Sequence, residues 1–162
     1  MYKEIKIYDM DGTIVDSSHR YKTRIDENGI EKIDLDFWIE NDRPDMIAKD
    51  SLLPLADEYK ADLANPEIYV IIATARGASK NDANYKYIKE NLGMPNKFVH
   101  RNTMADRRGG AELKIQAIKP LLNLKPFKNA IVKVFEDNLD YLQKMCQELN
   151  AIPIYCESVQ GH

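Results

Sequence analysis

The sequence predicts an α/β fold with a central parallel sheet and helices on both faces. Three observations carry this. Short apolar or alternating runs recur at 4–8, 69–73, 98–100, 131–135 and 152–155. Stretches with helical spacing lie between them, and a strand, a helix and a second strand in that order join parallel neighbours by a right-handed crossover. Finally, Asp9, Thr74 and Asp137 each stand where such a run ends. Ligands of open α/β sheets bind at the carboxyl ends of strands, so these distant positions are expected to meet in one crevice.

The elements follow in order. Glu4–Tyr8 alternates apolar and polar residues and reads as a strand. Residues 17–43 are polar, with helical potential at 18–27 and around Phe37, Trp38 and Ile39, and Asp16 and Ser17 resemble a helix cap. Asp50 or Ser51 can cap a helix whose apolar positions are Leu52, Leu55, Ala56, Tyr59 and Leu63. Pro54 would then fall in the first turn, where its missing amide costs nothing, and Asn65-Pro66 ends the helix. After the strand at 69–73, Ser79 or Asn81 opens a helix with Tyr85, Ile88 and Leu92 on one face and Gly93 as its stop. Gly109 and Gly110 precede a helix over 111–122, in which Pro120 should bend or shorten the last turn. Asn138 is placed to cap the helix Leu139–Leu149, and the strand Ile152–Tyr155 closes the pattern.

At 162 residues the length predicts one domain, residues 1–162, and a hydrophobic share of 44% beside 30% charged residues is that of an ordinary globular protein. A formal net charge of −3 gives no global footprint for nucleic acid, although basic residues gather at Lys97, His100, Arg101, Arg107, Arg108 and Lys114. No apolar run approaches the roughly 20 residues of a membrane span, so no membrane partner is expected. The chain starts directly in a strand, which predicts no signal peptide. Cys146 and Cys156 are too few for a disulfide framework, and reduced thiols in a cytoplasmic protein are the simplest expectation.

The segment Asp9-Met10-Asp11-Gly12-Thr13 carries the chemistry. Two carboxylates at a strand end, two residues apart and followed by glycine, suit one nucleophile and one general acid/base with a hard cation between them. This segment resembles the first motif of the haloacid dehalogenase (HAD) superfamily of phosphotransferases, Asp-x-Asp-x-Thr/Val. Three more segments are similar to that family's motifs in the same order: Val70-Ile71-Ile72-Ala73-Thr74, then Lys114 in a helix, then Val132-Lys133-Val134-Phe135-Glu136-Asp137.

The resemblance implies a single Rossmann-like domain with a minimal cap or none, the segment 17–45 serving as a small flap. It implies Asp9 as nucleophile, Asp11 as acid/base, Thr74 with the Ala75 amide as phosphoryl holders and Lys114 as the balancing cation. It also implies Mg²⁺ held by Asp9, by Asp11 through its carbonyl and by Asp137, with Glu136 or Asp140 in support. At a finer level the layout resembles the phosphatase domain of bacteriophage-type polynucleotide kinase, through Arg76, the run Phe98-Val99-His100-Arg101 leading to Asp106-Arg107, and the helix from Lys114 to Pro120. No Gly-x-x-x-x-Gly-Lys-Ser/Thr loop accompanies it, so nothing matches a kinase half.

The expected activity is an Mg²⁺-dependent phosphomonoesterase working through an aspartyl-phosphate. Polynucleotide 3′-phosphate ends are the first expected substrate, with Arg76, Arg101 and Arg107 as binding residues. A nucleotide or sugar phosphate is the second, and a non-enzymatic module on the same scaffold is the third. Tyr85 and Tyr87 are candidates for base stacking.

Overall fold

A computed structural model describes residues 1–77, 82–103 and 105–161. The chain opens with β1 (Glu4–Tyr8), β2 (Val15–Asp16) and a 3-10 turn at Ser18–Arg20. A hairpin, β3 (Thr23–Ile25) and β4 (Glu31–Ile33), precedes two short helices, α1 (Leu35–Glu40) and α2 (Pro44–Ile47). Next come β5 (Ser51–Leu52), α3 (Ala56–Leu63), β6 (Ile68–Gly77), α4 (Ala83–Asn91) and β7 (Lys97–Arg101). The last elements are α5 (Gly110–Leu122), β8 (Ile131–Glu136), α6 (Leu139–Leu149) and β9 (Ile152–Tyr155).

Five strands form one parallel sheet in the order β7-β6-β1-β8-β9, the architecture expected from the sequence. β1 lies at its centre because its residues are buried on both faces. Ile5 and Ile7 join one apolar cluster with Ile118 of α5 and Leu142, Met145 and Leu149 of α6. Tyr8 points the other way, into a cluster with Tyr59 of α3 and Tyr87 and Ile88 of α4. Lys6 shares that second face and would be costly there alone; Asp62 accepts from its ammonium at 2.9 Å and from the Tyr8 hydroxyl at 2.5 Å. Among the described residues no helix is long and apolar enough to cross a membrane.

The structure corrects three local expectations. Residues 18–27 do not form a helix. The Asp26 carboxylate accepts the amides of Asn28 and Ile30, and Gly29 takes φ +76°, so a tight turn joins two short strands. The helix expected from Asp50 or Ser51 begins only at Ala56, since Ser51 and Leu52 pair antiparallel with Val15 and Asp16 instead. Of the face expected on α4, Ile88 and Leu92 are buried, with Tyr87 beside them, whereas Tyr85 is exposed. The proposed caps of that helix, Ser79 and Asn81, lie outside the described residues. Gly93 does stop it, at φ +89°, its amide closing on Ile88 O. The helix α5 runs through Pro120 to Leu122.

Candidate active site

Register brings the site together. Tyr8 pairs with Ile72 on one side and Phe135 on the other, so the residues that follow, Asp9, Ala73 and Glu136, stand abreast at three strand ends. Asp9 N–H donates to Phe135 O at 3.0 Å. The next three amides after Gly12, those of Thr13, Ile14 and Val15, all turn back on Met10 O at 3.0–3.1 Å. Gly12 makes that turn at φ +79°, with its α-carbon against the Asp137 carboxylate where no β-carbon fits.

Lys114 is 1% exposed and is a buried cation at this end of the sheet. Its Nζ donates to Asp9 Oδ1 at 2.9 Å and to Glu136 Oε2 at 2.7 Å. The ring of Tyr141 lies 5.6 Å from the ammonium. Thr13 Oγ donates to the other Asp9 oxygen at 3.2 Å, so the nucleophile candidate is held at both oxygens. Asp9, Glu136 and Asp137 each offer an oxygen within 4.8 Å of the others. Among the described residues, Asp137 Oδ2 is buried without a hydrogen-bond partner.

Three buried carboxylates beside one ammonium leave an excess of negative charge. Burial, then Glu136, push the Asp9 carboxyl up to about 7 against the pull of Lys114. Burial, then Asp9 and Glu136, push Asp137 up to about 10. Burial works against the Lys114 ammonium, but Asp9 and Glu136 outweigh it and raise its pKa. An unpaired buried carboxylate oxygen among hard oxygen donors fits a cation such as Mg²⁺, which prefers carboxylates and retains waters.

Asp11 faces a different partner. Arg76 Nε donates to its Oδ2 at 2.9 Å, and Ser17 Oγ lies 2.6 Å from its Oδ1. Burial opposes its ionisation, yet the Arg76 guanidinium holds the carboxyl below its usual range. Arg76, 3% exposed, also donates to Asp50 Oδ2 at 2.9 Å and to Asn84 Oδ1 at 2.8 Å. Asp50 in turn takes two bonds from the buried Arg20, at 2.9 and 3.0 Å. The guanidinium carbon of Arg20 lies over the Trp38 ring, 4.2 Å from its centroid. These ties fasten the insertion between β2 and β5 to the end of β6. Asp50→Ala would leave Arg20 and Arg76 buried without their shared anion and is expected to cost about 3–5 kcal/mol, read as a lowered midpoint in urea.

Thr74 is buried, and its Oγ accepts the Arg76 amide at 3.1 Å, which leaves its hydrogen for a ligand. Ala75 follows on β6, and its carbonyl accepts from Arg101 Nε at 3.4 Å. Arg101 spends Nη1 on the carbonyls of Asp106 and Arg108 at 3.0 and 2.7 Å, and Arg108 pairs with the Asp106 carboxylate at 2.6 Å. Arg107 is exposed. Tyr87 is buried with its hydroxyl on Asp50 O at 2.9 Å, and the exposed Tyr85 packs edge-on against Phe98. Asp140 is exposed on the first turn of α6, where Asn138 caps the Tyr141 amide at 3.1 Å.

Sequence reasoning placed Ser17 in a helix cap and gave it no part in the site. It did not single out Thr13, Arg20, Asp50 or Gln160 as site residues. Thr13 had one legible signal, its place in the Asp-x-Asp-x-Thr segment.

The chain is similar in sequence and in fold to several known proteins. The family model described as bacteriophage T5 5′-deoxynucleotidase matches residues 1–119. The curated 5′-deoxynucleotidase of Escherichia phage T5 is 36% identical over 87 residues, 53% of this chain and 34% of that protein, so the match spans about a third of the relative's length. Among solved structures, the Pnkp1/Rnl/Hen1 complex superposes with a TM-score of 0.65 at 16% identity, over 97% of this chain and 47% of that one. CbbY from Rhodobacter sphaeroides, solved with phosphate, gives 0.61 at 13% identity, over 100% and 89%. The HAD domain of effector protein Lem4 from Legionella pneumophila gives 0.60 at 16% identity, over 98% and 88%. At these identities the likeness is one of fold, which this chain shares with the Lem4 HAD domain.

Proposed function

The chain belongs to the bacteriophage T5 5′-deoxynucleotidase family, and from that premise we propose that it is an Mg²⁺-dependent phosphomonoesterase acting on deoxynucleoside 5′-monophosphates. The observation that carries the reading is the Asp9–Lys114–Glu136–Asp137 cluster, with Asp9 held at both oxygens. Asp9 attacks phosphorus, the bond to the nucleoside oxygen breaks, and an aspartyl-phosphate forms. Asp11 supplies the proton to the leaving oxygen, then takes one from the water that splits the acyl phosphate. The contact with Arg76 favours the base form of Asp11, so the first step requires bound substrate to loosen it. Thr74 and the Ala75 amide hold phosphoryl oxygens, and Lys114 offsets the charge that gathers as phosphorus is attacked. Asp9 and Asp137 would hold Mg²⁺, with Glu136 beside them fixed by Lys114. When bound, that cation neutralises phosphoryl charge and relieves the repulsion among the carboxylates.

A mononucleotide suits the surroundings better than a polynucleotide. Arg101 is engaged by Asp106 and by main-chain carbonyls, and Arg108 by Asp106 and Gln116, which leaves less free cation for a phosphate track. A polynucleotide 3′-end is the second reading, favoured by the exposed Arg107. The two separate in an assay of phosphate release from deoxynucleoside 5′-monophosphates, ribonucleotides, a 3′-phosphorylated oligonucleotide and an aryl phosphate. Preference for the deoxynucleotides supports the first reading. Preference for the oligonucleotide, with activity falling steeply as salt rises, supports the second.

Metal dependence has a thermodynamic signature. Asp9 and Asp137 both titrate above 3.8, their value in an unfolded chain. The folded state therefore holds more protons than the unfolded one, and stability falls as pH rises. Their contribution is full below about pH 4 and is lost as pH passes through 7 and then 10. In EDTA the Tm should drop between about pH 5 and pH 9, and Mg²⁺ should restore it most at the alkaline end. An EDTA profile that rises over this interval would contradict the crowding of carboxylates.

A further inference from the structure

The segment after β9 takes part in the site. Cys156 N–H donates to Glu136 O at 3.0 Å, which fastens the segment beside the acids. Gly161 packs on the main chain of Asp137 with no room for a β-carbon, and Ser158 packs against Gly12. Gln160 N–H donates to Ser158 Oγ at 2.9 Å and turns the chain inward. As a result Gln160 is 7% exposed, while its neighbour Val159 is 76% exposed.

The buried amide of Gln160 spends both ends on one residue. Its Nε2 donates to Ser17 Oγ at 2.8 Å, and its Oε1 accepts from Ser17 N–H at 3.3 Å. Ser17 Oγ in turn lies 2.6 Å from Asp11 Oδ1. A hydroxyl has one hydrogen to give. Because the Gln160 amide donates to Ser17 Oγ, that hydrogen is directed at Asp11. The chain of donors runs Gln160 to Ser17 to Asp11, across 143 positions of sequence between its first two members.

We propose that Gln160 is a positioning residue of the reaction, setting the Ser17 hydroxyl and through it the orientation of the Asp11 carboxylate. The inference rests on the reading of Asp11 as the acid/base. It differs from a packing role in one respect that can be measured. Gln160→Glu has the same shape and would fill the same space. An ionised carboxylate there cannot donate to Ser17 Oγ; it attracts the Ser17 hydrogen to itself and withdraws it from Asp11.

The test is steady-state hydrolysis of deoxythymidine 5′-monophosphate at saturating Mg²⁺ by the wild type, Gln160→Ala, Gln160→Glu, Ser17→Ala and Ser17→Ala/Gln160→Ala, with the Tm of each. Both Gln160 variants are expected to lose roughly tenfold in kcat with KM little changed, and Gln160→Glu, which adds a buried carboxylate near Asp11, should also lower the Tm. Ser17→Ala should lose as much, and the double variant no more, because both residues act on one target. A wild-type kcat in Gln160→Glu, or losses that multiply in the double variant, would overturn the proposal. A wild type that releases no phosphate removes the phosphatase reading and the proposal with it. An active wild type whose Gln160 variants match it removes the proposal alone.

Discussion

Asparagine in place of Asp9 should lower kcat by about 10⁴-fold or more, the scale on which an enzyme loses its covalent nucleophile. The neutral amide keeps the shape: its one oxygen can accept from Lys114, and its NH2 can donate to Thr13 Oγ, in place of the two carboxylate oxygens that Lys114 and Thr13 now hold at 2.9 and 3.2 Å. It cannot form an acyl phosphate. The substitution also removes one of three crowded acids, each of which destabilises the others' ionised forms. In EDTA the variant should therefore be at least as stable as the wild type near neutral pH, and an inactive protein that is also unfolded would not count in favour of the account. Thermal unfolding run beside the kinetics separates the two outcomes.

Lys114→Met should be nearly as damaging to activity and far more damaging to the fold. The ammonium is the cation that Asp9 and Glu136 share, at 2.9 and 2.7 Å. A thioether of similar length fills the space but leaves buried carboxylates uncompensated, at a cost of about 3 kcal/mol or more. Mg²⁺ should return part of that loss, since it supplies positive charge to the same cluster. Adding Glu136→Gln should return another part, because it removes one of the stranded charges. Neither should restore turnover, because Asp9 then lacks one of the two donors that hold it and the cation that offsets phosphoryl charge. Unfolding in urea with and without Mg²⁺, on the single and double variants, reads each of these.

Much of this fold was legible in the sequence because the elements that build it are long and regular. The strands Glu4–Tyr8 and Ile152–Tyr155 and the helix Leu139–Leu149 lie where their periodicity placed them. The gathering of Asp9, Glu136 and Asp137 follows from two such strands lying side by side in register. What was not legible lies in the insertion between β2 and β5. There the segment 18–27 offered a weak helical pattern, and the local turn chemistry of Asp26 and Gly29 decided the outcome instead. Arg20 and Asp50 look like any charges in a polar stretch. Their burial comes from each other and from Arg76, 26 positions beyond Asp50, which no local window contains. The same is true of Gln160 and Ser17, whose pairing exists only once the segment after β9 folds back onto the first loop. Buried polar partners far apart in sequence carry no periodicity, so spacing alone cannot find them.

The central claim is that Asp9 carries the phosphoryl group. Its most direct test is transfer of radiolabel from a 5′-³²P deoxynucleoside monophosphate to the protein, quenched in acid within one turnover. The wild type should carry label that hydroxylamine removes, as expected of an acyl phosphate, and Asp9→Asn should carry none. Phosphate release by the wild type with no trapped label, or label retained by Asp9→Asn, would contradict the account.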